Sequence, residues 1–322
     1  MSRTAALRRV CILGLLAVLA GPVVEAQESE PMPGPFFMKA LKEWRKGRVA
    51  SLVSEDGWLT LVGLYWLEPG ENSIGTDPGS RVVLPEAKAP RQAGALVLEG
   101  GKVRARLVAG SGITVEGKPF VEGEARTDEN GAPDVFRVGT VSFYVIRRGE
   151  RFGVRVKDSK SPVRSSFPGI EYYRADSSYR ILAHYVPYDP PKEVEIPSVL
   201  GTTEIERCPG YAEFEIEGKT VRLEPIVEGN SRGNLFFIFK DATSGKGSYP
   251  GGRFLYADSP SSDRVVLDFN RAFNPPCAFT PYATCPLPPK QNWLPVKIEA
   301  GERWKGSELE SSIEHGKPQE SD

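Results

Sequence analysis

Histidine is nearly missing from this sequence: there are two, His184 and His315, the second in a charged C-terminal stretch. That excludes metal sites built on several imidazoles, and it leaves a Ser-His-Asp triad only His184 to work with. His184 alternates with Leu182 in an apolar run and reads as a satisfied strand residue rather than a base. Cysteine is sparse as well, four in 322 residues. Neither sign of charge dominates: 41 Lys and Arg stand against 42 Asp and Glu, so no broad field attracts nucleic acid or an anionic membrane. Long apolar runs are lacking too. Residues 10–19 make a run of about ten, too short to cross a bilayer core of ~30 Å as a helix.

That short run has a different use. Arg3, Arg8 and Arg9 precede it, and Val24-Glu25-Ala26 follows with small residues where a signal peptidase reads, so residues 1–26 are expected to be a secretory signal cleaved after Ala26. Cys11 lies inside the run rather than at the cleavage point, which argues against a lipoprotein anchor. Cleavage removes three Arg and one Glu and leaves a mildly acidic chain without a membrane span, periplasmic or secreted. In such an oxidising compartment Cys277 and Cys285, eight positions apart, are the natural disulfide partners, and Cys208 is left over. Two cysteines with no nearby histidine do not make a zinc site.

Residues 27–35 carry three prolines and form a lead; residues 36–53 read as a helix with Phe37, Ala40, Leu41, Trp44 and Leu52 on one stripe. From Trp58 the pattern changes to short β runs punctuated by turn signals such as Glu99-Gly100-Gly101-Lys102, Arg148-Gly149-Glu150 and Glu217-Gly218. No helical pattern alternates with these runs, so the fold class is mainly β: antiparallel sandwich or barrel units with an N-terminal helix. Prolines 187, 190, 191 and 197 are expected to interrupt a central strand and set a boundary between a β domain at 58–186 and a second at 187–304. Residues 305–322, almost without apolar side chains, are expected to be disordered.

The most unusual stretch is 268–294, with Asn274-Pro275-Pro276-Cys277 and Cys285-Pro286-Leu287-Pro288-Pro289 at its heart. Together with Asp241-Ala242-Thr243-Ser244-Gly245, Gly252-Arg253-Phe254-Leu255 and Gly57-Trp58-Leu59-Thr60, it resembles the bacterial and archaeal domain-of-unknown-function family 1684 over roughly residues 40–304. The resemblance implies no activity. The chain departs from the family pattern at Trp293, where a basic residue is expected, so no role rests on a cation there. Residues 72–156 bear a weaker resemblance to a forkhead-associated sandwich through Ser73-Ile74-Gly75-Thr76 and Val115-Glu116-Gly117-Lys118. Thr76 stands where such domains carry a phosphate-binding arginine, which implies the scaffold without that ligand.

Strand parity suggests a site. If residues 265–270 are extended, Val265, Leu267 and Phe269 share one face, and Asp268 and Asn270 share the other. A hairpin through residues 259–263 would bring Arg253 to the same face. Asp241, Thr243 and Tyr249 on the preceding loop would then complete a polar cup, with Tyr282 among the aromatic residues walling it. If the cup is catalytic, Asp268 is the acid or base, Tyr249 a proton donor and Arg253 an anion clamp, with hydrolysis the natural reaction class. Asp241, Thr243, Arg253, Asn270 and Tyr282 would hold a small polar ligand such as a carbohydrate. The same residues equally suit a second reading, in which they only lock the proline-rich coil of a non-enzymatic envelope protein. Nothing in the sequence assigns a metal, a cofactor or an oligomeric state.

Overall fold

Residues 34–129, 131–227, 234–304 and 306 are described by a computed structural model. The expected signal (1–26), the first part of the lead (27–33) and the expected tail (305–322, save Gly306) lie outside the described residues. The helical stripe appears as α1 (Gly34–Leu52), which buries Phe37, Leu41 and Leu52. None of the described helices is long and apolar enough to cross a membrane.

The rest is mainly β, as the alternating runs require. The N-terminal part contains β1 (Leu61–Trp66), β2 (Gly70–Gly75), β3 (Val82–Val83), β4 (Gly94–Glu99), β5 (Lys102–Leu107), β6 (Thr114–Val115), β7 (Lys118–Pro119), β8 (Glu122–Glu124), β9 (Phe136–Val138), β10 (Val141–Arg148) and β11 (Arg151–Asp158). They form a six-stranded sheet, β1-β11-β10-β9-β6-β7, and a five-stranded one, β3-β2-β4-β5-β8. Ile74, Leu96, Val103 and Leu107 of the smaller sheet share one core with Phe136, Phe143, Val145, Val154 and Val156 of the larger.

The C-terminal part adds β12 (Arg180–Pro197), β13 (Thr203–Ile216), β14 (Lys219–Leu223), β15 (Leu235–Phe239), β16 (Arg253–Ala257) and β17 (Arg264–Asp268). Four of these make an antiparallel sheet, β14-β13-β12-β17, and β15 pairs with β16. Phe237, Phe239 and Leu255 of the two-stranded ladder pack on Ala183, Ala212, Phe214 and Leu267 of the sheet, and the extended segment 294–300 supplies Leu294, Val296 and Ile298.

Two expectations are corrected. The prolines at 187–197 do not end a strand, because β12 runs through them; its register with β13 jumps from Pro187 to Lys192, and the bulge absorbs the residues that cannot donate to the ladder. Nor do β16 and β17 pair as a hairpin. Arg253 on β16 lies opposite Phe239 of β15, whereas Asp268 on β17 lies opposite Arg180 of β12. The alternation of Glu213 and Glu215 with buried Ala212 and Phe214 is a solvated sheet face, Glu213 being paired with Arg222.

Candidate functional site

The residues expected to form one cup are divided among separate networks. Arg253 is completely buried and makes an ion pair with Asp241 at 3.2 Å; its two Nη atoms also donate to the carbonyls of Ile298, at 2.8 Å, and Ala300. Asp241 in turn accepts from the Ile298 amide at 2.7 Å and from the Thr243 hydroxyl at 2.8 Å, and that hydroxyl meets Ser248 Oγ at 2.8 Å. Apart from Arg253 Nε, which has no partner, the polar side-chain groups named here face other groups of the chain, and much of the backbone they satisfy belongs to segment 294–302. This is a lock for an extended strand-like segment that has few ladder partners of its own.

Asp268 is elsewhere. It ends β17, accepts from the Asn270 amide and side chain at 3.2 and 3.1 Å, and pairs with Arg271 at 3.3 Å. Asn270, fully buried, exchanges two hydrogen bonds with the backbone of Asp176, at 2.9 and 2.8 Å. The parity expectation holds for Val265 and Leu267, which are buried, but Asp268 and Arg253 do not meet because their strands belong to different ladders. Tyr249 donates to the Cys277 carbonyl at 3.3 Å and stands edge-on to Trp304. Burial pushes the Tyr282 phenol up, and the ring interacts with Tyr65 of β1. His184 is half exposed beside Asp263.

The described cysteines, Cys208, Cys277 and Cys285, are free thiols in this structure, and the expected Cys277–Cys285 bond is not present in it. The Cys277 amide donates to Cys285 Sγ at 3.1 Å. A hydrogen bond from Cys285, assisted by Arg155, draws the Cys277 thiol below its ordinary range, while burial pushes that of Cys285 up.

The site that the sequence reading missed lies against Cys285. A cavity of about 420 Å³ is lined by Arg48, Arg148 and Arg155, by Trp58, Phe236, Phe254, Tyr256 and Phe273, and by Pro276, Thr284, Cys285 and Pro286 of the proline-rich motif. α1 delivers Arg48, the end of β10 delivers Arg148, and the middle of β11 delivers Arg155. Bonds from the Val199 amide to the Cys285 carbonyl and from the Leu287 amide to the Pro197 carbonyl hold the motif in place as one wall. A second cavity, of about 560 Å³, shares Arg148, Phe236, Thr284 and Pro286 with the first.

The three arginines differ in electrostatic state. Arg48 is paired with buried Glu302 at 2.9 Å, and Arg148 with Asp128 at 2.9 Å. Arg155, only 5% exposed, has no carboxylate within ion-pair distance among the described residues. It gives one hydrogen bond, from Nη2 to Thr284 Oγ1 at 2.8 Å, while its Nε has no partner. Its guanidinium lies 5.1 Å from the Trp58 ring centre. A contact of that kind is worth about 0.5–2 kcal/mol, less than the several kcal/mol that an unpaired buried ion costs. Thr284 Oγ1 also accepts from Arg148 Nε at 3.2 Å. With two donors already pointing at that oxygen, its own hydrogen is directed away from both.

The fold and this pocket define a β-rich protein with a cationic, aromatic-walled cavity built against a proline-rich coil. A family model described as "Protein of unknown function (DUF1684)" matches residues 165–303, and the chain belongs to that family. It is similar to an uncharacterised Haloarcula marismortui protein from gene locus rrnAC0354, solved by NMR in solution. The two are 32% identical over 44% of this chain and 78% of that one, with a TM-score of 0.37. A forkhead-associated domain studied for phosphothreonine-dependent interactions is similar at 20% identity over 30% of this chain and 96% of its own, with a TM-score of 0.21, a likeness too slight to bear on function. No curated protein matches significantly.

Proposed function

We propose that the protein is exported and binds a small anionic solute in the arginine-lined cavity, and that the polar residues of the family motif lock the fold rather than catalyse. The reading rests on Arg155, a buried cation without a counter-ion, beside a hydroxyl with a hydrogen to give and aromatic side chains. An anion seated there would offset a desolvation cost that no carboxylate among the described residues meets and that Thr284 and Trp58 meet only in part. Hydrolysis at Asp268 gains no support, since that carboxylate is occupied by Asn270 and Arg271. In an oxidising compartment Cys277 and Cys285 would join by exchange with an oxidoreductase disulfide. Each thiol would lose its proton, and the two electrons would pass to that disulfide.

Melting curves across a panel of sodium salts test the anion site: organic anions should raise Tm above sodium chloride at equal ionic strength, and a flat panel would contradict the proposal. For export, the protein recovered from the periplasm or medium should begin at Gln27. Its mass should increase by two hydrogens on reduction, and an unchanged mass would dismiss the Cys277–Cys285 bond.

A further inference from the structure

We infer that the ligand is a monoanionic carboxylate borne on an aromatic or similarly flat apolar body, an assignment that rests on the anion-binding reading above. The charge count sets the valence. Glu302 answers Arg48 and Asp128 answers Arg148, so of the three lining arginines Arg155 is the one without a carboxylate partner among the described residues. A monoanion neutralises it; a phosphate monoester would bring a second negative charge with nothing to meet it.

Donor geometry favours a carboxylate head. Arg155 spends one of its five N–H groups on Thr284, and the remainder of its planar fork matches two coplanar oxygens. The walls select the body. Phe236, Tyr256 and Phe273 stand nearly parallel, with centroids 4.7 and 5.9 Å apart and planes inclined by 21° and 20°. Tyr256, the middle ring, is 46% exposed, so the ladder offers aromatic surface, chiefly ring edge, against which a ligand ring can pack edge to face. The lining holds neither an amide nor a carboxylate side chain to match the hydroxyls of a sugar, which favours the aromatic carboxylate over a carbohydrate at this cavity.

Isothermal titration of the purified protein with benzoate, phenyl phosphate and benzyl alcohol tests the assignment. Benzoate should bind, and the other two should bind roughly tenfold more weakly or not at all. Arg155→Gln should weaken benzoate by roughly tenfold or more, and Tyr256→Ala, at an exposed position that tolerates truncation, by roughly fivefold. Phenyl phosphate or benzyl alcohol binding as tightly as benzoate would overturn the carboxylate class while leaving the pocket standing. The absence of binding by both anions, or benzoate affinity unchanged in both variants, would overturn the pocket reading itself.

Discussion

Asp241 and Asp268 show how one residue type serves differently according to burial. Asp241 is the only carboxylate paired with buried Arg253 among the described residues, and it also accepts from Thr243 and from the Ile298 amide. Asp241→Asn leaves a buried guanidinium without its counter-ion, and urea denaturation should register a loss of about 3–5 kcal/mol. Asp268 caps a single turn and pairs with half-exposed Arg271, so Asp268→Asn should cost about 1 kcal/mol. Equal losses would mean that the two networks are not distinct. Glu302 adds a pH signature. Burial raises its carboxyl above the ordinary 4.5, outweighing Arg48 and the Asn274 amide that favour its ionised form. The folded state therefore binds this proton more tightly than the unfolded chain does, and the contribution is fully present below pH 4.5 and lost as pH rises through the raised value. Glu302→Gln should abolish that component, so Tm of the wild type should fall relative to the variant as pH is raised from 4; parallel curves would refute it.

At the scale of elements, what could be read from the sequence was local. Gly100-Gly101 and Glu217-Gly218 both adopt positive φ and close tight hairpins, β4–β5 and β13–β14, as those dipeptides suggest. Inside and outside faces were legible as well, with Val265 and Leu267 in the core as alternation requires. Strand partners were not. β16 chooses β15 over the nearer-looking β17 because Phe237, Phe239 and Leu255 pack together into the shared core, a cooperative choice invisible in either strand alone. Segment 294–302 has only scattered backbone bonds to hold it, and its turn at Gly301 is demanding: φ is +80°, and an added Cβ would come within 2.4 Å of the Ala272 carbonyl oxygen. Gly301→Ala should lower stability by roughly 1–3 kcal/mol and loosen the chain around Arg253. Amide exchange should report this at residues 294–302, and unchanged protection there would speak against the lock.

For the whole molecule, the pocket was hidden because its parts are distant in sequence: Arg48, Arg155, Tyr256 and Thr284 converge only once the helix, a central sandwich strand, the two-stranded ladder and the proline-rich coil are assembled. One clue was present. An arginine in the middle of Phe152-Gly153-Val154-Arg155-Val156, a strand flanked on both sides, had to be buried and had to find a partner. Phe273 lines the cavity, whereas Phe279 is buried in a separate apolar cluster and Trp293 stacks outward with Lys240. The motif thus builds a wall of the pocket and, through Asp241 and Arg253, holds the segment behind it.

The most direct measurement is the stability of Arg155→Met with and without a binding anion. Methionine retains much of the apolar stem and removes the charge. Without ligand the variant should be as stable as the wild type or more so, because an unpaired buried cation has been taken away, and it should no longer be stabilised by benzoate, which at a hundredfold excess over Kd would give the wild type about 2.7 kcal/mol. A variant that is severely destabilised yet still responds to benzoate like the wild type would show Arg155 to be a structural residue and the cavity to hold its ligand by other means.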